Sequence, residues 1–186
     1  MITYELPTSL KIGEVDYSIR YSWCAVLDIL VACSDPELDD AGKAECMIKI
    51  LYPDWKKIPS AYLQEACEKA CWFIDCGYTD SDTNQRPKLV DWETDVRIII
   101  PEINKVAGRE IRSDKSIHWW TFYGWYMGIG EGTFSTLVHI RDKKRRGKKL
   151  ERWEQGFYNA NKNLVDMRVH DTAQIRNEKD SILKWL

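Results

Sequence analysis

Cysteine and histidine are the residue types in this 186-residue sequence best suited to metal binding or nucleophilic chemistry. They occur at Cys24, Cys33, Cys46, Cys67, Cys71, Cys76, His118, His139 and His170. No two cysteines have the C-x-x-C spacing typical of zinc sites, and every histidine lies well downstream of them. Buried thiols behave as small hydrophobic groups, so we expect reduced core cysteines and no metal or cofactor. A zinc site is the alternative.

Three glycines, Gly128, Gly130 and Gly132, superficially match a phosphate-binding loop. Such a loop needs a strand before the glycines, whereas here an aromatic helical pattern precedes them. The segment therefore predicts a helix end and a turn, with Thr133 capping the next helix. No nucleophile lies on a recognisable strained turn, and His118 is expected to pack or to cap a helix. The sequence thus predicts a protein that is not an enzyme.

A basic segment, "RDKKRRGKKLER" at residues 141–152, contains eight Lys or Arg and two acidic residues. It has three interpretations: contact with a nucleic-acid backbone, the solvated end of one helix and start of the next, or docking on an acidic protein surface. Aromatic residues precede the basic ones instead of alternating with them, which weakens the case for nucleic acid. The candidates for electrostatic docking are Lys143, Lys144, Arg145, Arg146, Lys148 and Lys149.

Charge is distributed unevenly along the chain. Residues 1–110 contain 12 Lys or Arg and 20 Asp or Glu, whereas residues 111–186 contain 15 and 9. This polarity favours head-to-tail self-association or an asymmetric partner as much as it favours nucleic acid. The start of the sequence lacks the pattern of a signal peptide. The longest apolar stretch, residues 23–33, is too short for a bilayer and contains Asp28, so we expect a soluble cytosolic protein without membrane contact.

Residues 119–126 contain six aromatic side chains, more than a helix buried on one side requires. At helical spacing, positions 119, 122, 123 and 126 face one way, while Trp120 and Trp125 point elsewhere. Such a helix is buried all round, or it presents part of its surface to a partner. Protein interfaces concentrate aromatic residues, so both interpretations stay open at this point.

Hydrophobic periodicity predicts a mainly α-helical protein with a small N-terminal β element. The segment "SLKIGEVDYSIRY" alternates about Gly13–Glu14 as a β-hairpin does, and helical spacing begins near Trp23. Residues 78–90 are polar and aperiodic, and predict a loop. Three more helices are predicted: one from Lys43 that Pro53 stops, one from Pro59–Ser60 to Gly77, and one over 91–108 that Pro101 kinks or divides in two.

The C-terminal residues 148–186 have two weaker amphipathic patterns, the second within residues 172–186. The first pattern places five residues on one face of a helix: Trp153, Phe157, Ala160, Leu164 and Met167. These helices either pack on the rest of the protein or project from it as solvated arms. We therefore predict one compact helical domain, with a β element over residues 1–19, a helical body over 20–147 and C-terminal helices over 148–186.

Three segments carry a pattern that occurs together in one known family. In "IHWWTFYGWYMGIGEGTFSTLVHIRDKKRRG", His118–Trp119–Trp120 is followed by Phe122 and then by Ile140–Arg141 before a basic stretch. The segments "DWETDVRIIIPEI" and "LPTSLKIGEVDYSIRYSW" add similarity at the level of pattern. Over residues 3–168 the sequence resembles the bacteriophage gene-product-fifteen family, from long-tailed phages and prophages of Gram-positive hosts.

This resemblance implies a role in tail morphogenesis. Members of the family are encoded just before the tape-measure protein, in the position of tail assembly chaperones. Such a chaperone would coat the helical, hydrophobic tape measure in the cytoplasm of the infected or lysogenic host until tail-tube subunits polymerise around it. The alternatives are a nucleic-acid-binding protein and a structural component of the virion tail. The residues expected to contact a partner or to maintain the fold are His118, Trp119, Trp120, Phe122, Trp125 and Arg141, the last in a buried or capping ion pair.

Overall fold

The computed structural model describes residues 5–78 and 89–167, which are mainly α-helical with one β-hairpin, as the sequence predicts. The predicted loop over 78–90 falls mostly on residues outside this part, and so does the second amphipathic pattern within 172–186. The elements in chain order are β1 (Ser9–Ile12), β2 (Val15–Ser18), α1 (Trp23–Cys33), α2 (Asp40–Leu51), α3 (Leu63–Ile74), α4 (Trp92–Ala107), α5 (Trp119–Met127), α6 (Thr133–Arg145), α7 (Arg152–Ala160) and α8 (Lys162–Val165).

The hairpin covers one side of the core. β1 and β2 pair antiparallel, with Ile12 opposite Val15. Gly13 has a φ of 57° in the two-residue turn, a conformation that glycine adopts without strain. Its N–H donates a hydrogen bond of 3.1 Å to the Glu65 carboxylate of α3. Leu10 and Ile12 are buried, so the inward face of β1 packs on the helices.

Side-chain caps set where the first two helices begin. Ser22 accepts a hydrogen bond from an amide in the first turn of α1, and Asp39 accepts one of 2.8 Å from the Gly42 N–H of α2. A cap satisfies amides that have no partner inside the helix. For this reason α2 begins at Asp40, three residues before the predicted start at Lys43.

The third helix is shorter than predicted at both ends. Short 3₁₀ turns at Trp55–Lys57 and Ser60–Tyr62 precede it, so α3 proper does not begin at Pro59–Ser60. It ends at Ile74, because the backbone at Cys76 and Gly77 has φ values of 56° and 82°, outside the helical range.

α4 runs as one helix through Pro101, so the predicted alternative of two short helices is wrong. Proline removes the hydrogen bond to the carbonyl four residues earlier, here that of Arg97. Both residues are exposed, so water can satisfy that carbonyl without a break in the helix. Asp91 caps the start by accepting a hydrogen bond of 3.2 Å from the Glu93 N–H, and Gly108, with a φ of 67°, ends the helix.

The glycine-rich segment is the turn between α5 and α6. Gly128 follows the end of α5, and its N–H donates to the Gly124 carbonyl at 3.1 Å. Gly132 occupies the capping position of α6, and the Ser135 hydroxyl accepts a hydrogen bond of 2.9 Å from its N–H. Thr133 is the first residue of the helix. The prediction that Thr133 caps α6 is therefore wrong by one position.

The main core lies between the hairpin and helices α1 to α5. Its largest fully buried aromatic side chains are Trp119, Phe122, Phe73 and Tyr52. Trp23 of α1 stacks on Phe122 with ring centroids 4.9 Å apart, so α1 and α5 meet at these rings. Large aromatic side chains supply much of the burial that stabilises a core.

The residues that follow α6, here called the C-terminal arm (residues 148–167), contain α7 and α8 and pack on α6. The predicted apolar face is not the buried one, since Trp153 is 56% exposed. Glu154 and Val165 are buried instead. The amphipathic pattern failed here because the inward position of α7 is occupied by a carboxylate that contacts α6, whereas periodicity arguments count only apolar residues.

Candidate functional site

His118 caps α5 and ties it to the N-terminal segment. Its Nδ1 accepts a hydrogen bond of 3.0 Å from the Trp120 N–H, and its Nε2 lies 2.9 Å from the Pro7 carbonyl. Since a carbonyl only accepts, Nε2 carries the proton and the ring is neutral. Burial lowers the pKa of His118, against the opposing effect of the Pro7 carbonyl. Stacking on Tyr21, with ring centroids 5.3 Å apart, fixes the ring plane.

Trp119 and Trp120 bind the C-terminal end of α3. The Trp119 Nε1–H donates to the Ile74 carbonyl at 2.8 Å, and the Trp120 Nε1–H donates to the Phe73 carbonyl at 2.8 Å. The last carbonyls of a helix have no partner inside it. The Phe73 carbonyl also accepts a hydrogen bond of 3.1 Å from the Cys76 N–H, and the Ile74 carbonyl has the Cys76 thiol 3.9 Å away, so the Trp119 indole is the stronger donor to Ile74. Trp119 is fully buried, while Trp120 is half-buried and packs edge-on against Trp72.

The other aromatic residues of α5 are buried or half-buried. Phe122 is fully buried. Trp125 is half-buried, with the Arg109 guanidinium 6.0 Å above its ring. The most accessible apolar side chain of α5 is Met127, which is 65% exposed, and Val106 of α4, which is 41% exposed, lies beside the following residue, Gly128. A Cβ added at Gly128 would lie 3.2 Å from the Val106 side chain, so the ends of α4 and α5 meet closely at this surface.

Arg141 connects four parts of the chain through a buried guanidinium. It forms a bidentate ion pair with Asp95 of α4, with N–O distances of 2.5 and 3.0 Å. It also donates to the Leu89 carbonyl at 2.9 Å, and to the Leu164 and Val165 carbonyls at 2.6 and 2.9 Å. The side chains of Arg141 and Asp95 are only 4% and 3% exposed. A buried charge is tolerated when it is paired and fully hydrogen-bonded, and both conditions hold here.

Most cations of the basic segment have partners within the molecule. Lys143 contacts Glu154 at 2.6 Å, and Lys144 contacts Asp166 at 2.5 Å. Asp142 accepts hydrogen bonds from Arg145 at 3.1 Å and from Arg146 at 3.0 Å. Of the six docking candidates, Lys148 and Lys149 are therefore the ones with no ion-pair partner in the part of the chain that the structure describes, and both are exposed.

The glycine-rich turn is poorly suited to a phosphate. The carboxylate of Glu102 lies against it, because a Cβ at Gly132 would be 3.2 Å from the Glu102 oxygens. Negative charge at this place repels a phosphate group. Lys105 offsets part of that charge through an ion pair of 2.7 Å with Glu102. Its ammonium group is therefore engaged by a carboxylate and is not held toward the glycine-rich turn.

The cysteines do not form a metal centre within residues 5–78 and 89–167, where no three His, Cys, Asp or Glu side chains are arranged to hold an ion. Five of them are half-buried and Cys71 is exposed, so they are less buried than expected. All six are free thiols. Burial raises the pKa of Cys76 to about 12, which leaves that thiol protonated and unreactive near neutral pH.

Two acidic residues that matter here were not identified from the sequence. Asp95 is the partner of Arg141, 46 residues away, and Glu154 is the partner of Lys143 and His139. The signal for Asp95 is a carboxylate one helical turn before the apolar residues of α4. The signal for Glu154 is its position three residues after Glu151, the capping residue of α7. Its carboxylate accepts a hydrogen bond of 2.7 Å from the Glu151 N–H.

A family model described as "Bacteriophage Gp15 protein" matches residues 2–167. The chain belongs to this family. It is a bacteriophage protein, and the resemblance inferred from the sequence is confirmed. No curated protein and no solved structure matches it. Among the described residues, no helix of this family member is long and apolar enough to cross a membrane.

Proposed function

We propose that this protein is a non-enzymatic tail assembly chaperone that binds the tape-measure protein during tail morphogenesis in the host cytoplasm. The observation that carries the proposal is the Gp15 family match over residues 2–167, because the resemblance to this family implies a tape-measure partner. The matched residues include the helical body and α7 and α8 of the arm, so the proposal concerns the structure described above.

The exposed apolar surface at Val106 and Met127 is a reasonable contact for such a partner. A tape measure is helical and hydrophobic, and an amphipathic helix binds by placing apolar side chains against an apolar surface. Methionine suits contacts with varied sequences, because its unbranched side chain adapts to different shapes. In contrast, Trp119 and Phe122 are buried in the core, so their part in a complex would be to maintain the fold.

Co-expression with the tape-measure protein encoded beside it tests the proposal. The complex would be isolated by affinity pull-down and its mass measured by light scattering at low and high salt. We expect a soluble complex with several copies of this protein that survives high salt, since apolar contacts are not screened. If the tape measure aggregates while this protein stays free, the chaperone function is wrong.

A pair of matched variants locates the contact. Met127→Glu places a charge in the proposed surface, and Val15→Glu places one at the hairpin, where the side chain is 53% exposed. We expect Met127→Glu to weaken capture of the tape measure about tenfold or more, which corresponds to about 1.4 kcal/mol. Val15→Glu should leave capture unchanged. Equal effects of the two variants would remove the Val106–Met127 surface from the proposal.

The two alternative functions predict different results. A nucleic-acid-binding protein would bind a generic duplex with an affinity that falls steeply with salt. Of the six docking candidates, Lys148 and Lys149 would be the ones available to it, since they have no ion-pair partner among the described residues. A structural tail component would be present in purified virions, from which a chaperone is absent. The internal pairing of Lys143, Lys144, Arg145 and Arg146 argues for a weaker electrostatic surface than the sequence suggested.

A further inference from the structure

The C-terminal arm is held on α6 mainly by charged groups and hydrogen bonds. The Glu154 carboxylate is 1% exposed and accepts hydrogen bonds from Lys143 at 2.6 Å and from His139 at 2.8 Å. Lys144 lies 3.8 Å from the Tyr158 ring centroid and pairs with Asp166. These contacts are specific to the arm, because each needs a particular group at a particular place on α6.

The fully buried apolar part of this attachment is small, while Phe157, Leu164 and Met167 are half-buried. Val165 is the buried apolar residue of the arm, and it lies outside the main core, as do Leu137 and Ile140 of α6. The guanidinium of Arg141 also holds the arm, because it donates hydrogen bonds to the carbonyls of Leu164 and Val165. The arm therefore packs on α6 beside the main core, and its fully buried apolar residue is not part of that core.

The connection between α6 and the arm starts at the cap of α6, where the Gly147 N–H donates to the Lys144 carbonyl at 3.0 Å and the Lys148 N–H donates to the Lys143 carbonyl at 2.9 Å. We take the exposed residues from this cap to Leu150 as the hinge. Gly147 has a φ of 63°, is exposed, and has no atom within 4 Å of a Cβ built on it. Lys148 and Lys149 follow it and are exposed. From Gly147 to Leu150 there are three steps along the chain, so an extended connection spans roughly 10 Å at about 3.3 Å a residue.

We infer that the arm is exchanged between two copies of this chain, so that α7 and α8 of one copy dock on α6 of another. The receiving surface is Lys143, His139, Lys144 and Arg141, and the docking groups are the Glu154 and Asp166 carboxylates and the last carbonyls of α8. A second copy is the partner that the charges select, because it brings the same carboxylates at the same spacing.

Exchange costs little beyond association itself, since the closed single chain and the exchanged pair contain the same contacts. The equilibrium between the closed monomer and the exchanged dimer therefore depends on the hinge and on the protein concentration. Many copies gathered on one polymer would raise the local concentration and favour exchange. The inference does not rest on the proposed function, and its test needs only this chain.

Complementary charge variants provide the test. In Lys143→Glu, the variant α6 repels its own Glu154, and in Glu154→Lys, the variant arm is repelled by its own Lys143. When the two are mixed, each arm finds its matching α6 only on the other chain. We expect each variant alone to be a monomer with a detached arm, and the mixture to form a 1:1 dimer of twice the 21.8 kDa chain mass by light scattering and native mass spectrometry.

The double variant Lys143→Glu/Glu154→Lys is the control, because it restores the pair within one chain and should be a monomer with a protected arm in hydrogen exchange. If the mixture stays monomeric while the double variant is protected, the inference is wrong.

Deleting Lys148 and Lys149 in the natural chain provides a second test, which also decides the matter if the reversed pair is not tolerated. A shortened hinge that cannot reach its own α6 should shift the protein to a dimer. A monomer with a protected arm would overturn the inference.

Discussion

The helical body and the C-terminal arm are both packed against neighbouring helices, but different forces hold them. In the body, Trp119 and Trp120 donate hydrogen bonds to the end of α3 from within or beside an apolar core. In the arm, buried Glu154 is held by Lys143 and His139. The body thus gains most of its stability from burial, whereas the arm depends on charge pairing.

This difference explains what the residues of the family pattern do. His118, Trp119 and Trp120 join α5 to the N-terminal segment and to α3, so they act inside the body. Arg141, at the other end of the pattern, is where the body and the arm meet, because one guanidinium binds Asp95 and the carbonyls of α8. The pattern therefore marks joints between elements, and the surface available to a partner lies beside it.

Replacing Arg141 should have the largest effect on both regions. In Arg141→Met, Asp95 stays buried without its counter-charge, and the Leu164 and Val165 carbonyls lose their donor. Removing one member of a buried ion pair costs about 3–5 kcal/mol. We expect a loss of this size in the free energy of urea unfolding, together with loss of hydrogen-exchange protection in α7 and α8.

A second substitution controls for this explanation. Adding Asp95→Asn to Arg141→Met removes the unpaired charge while keeping an acceptor for the Asp91 N–H, which lies 2.9 Å from the Asp95 carboxylate. We expect part of the stability to return but the arm to stay unprotected. A double variant no more stable than the single one would show that the buried charge is not the cause.

Removing one indole N–H should lower the free energy of unfolding more in the body than in the arm. Both losses should be smaller than that of Arg141→Met. Trp119→Phe leaves the Ile74 carbonyl with the weak Cys76 thiol, 3.9 Å away, as its donor, and the loss of the indole hydrogen bond costs about 1–3 kcal/mol. Trp153→Phe in the arm removes a similar donor to the Glu151 carboxylate at 3.1 Å, but at a side chain 56% exposed. Surface changes of this kind stay within about 0.5 kcal/mol. Thermal unfolding of both variants measures the contrast, and equal losses would contradict it.

The fold class followed from local pattern, since hairpin alternation about Gly13 and helical spacing in α1 and α4 need only neighbouring residues. Where the sequence failed, the cause was capping or distance. The starts of α2 and α6 depend on the Asp39 carboxylate and the Ser135 hydroxyl. These act over three residues, within the error of periodicity.

The pairing of Asp95 with Arg141 crosses 46 residues, and no local pattern specifies it. The basic segment shows the same limit of local pattern. Its composition indicated a charged surface for docking, but composition does not reveal partners that arrive later in the chain. Glu154 and Asp166 take up Lys143 and Lys144, and neither was recognisable as a partner until the arm was placed on α6.

Acid should affect the body before the arm. Burial keeps His118 neutral and its pKa below the ordinary 6.5, so its contribution to stability is complete above pH 6.5 and is lost as the pH falls through the lower folded pKa. The hydrogen bond from Lys143 lowers the pKa of Glu154 to about 2 from an ordinary 4.5. The arm therefore keeps its attachment down to about pH 4.5 and loses it between there and about pH 2.

Hydrogen exchange between pH 8 and 3, corrected for intrinsic rates, follows both regions at once. We expect the start of α5 to lose protection first, and α7 and α8 only below pH 4.5. His118→Asn keeps a capping acceptor without a titrating ring, so it should abolish the first step and leave the second. Glu154→Gln should expose the arm at every pH. An arm that detaches between pH 6.5 and 5 in the natural protein would mean that the Glu154 carboxylate does not hold it, and the division between an apolar body and a charge-held arm would have to be abandoned.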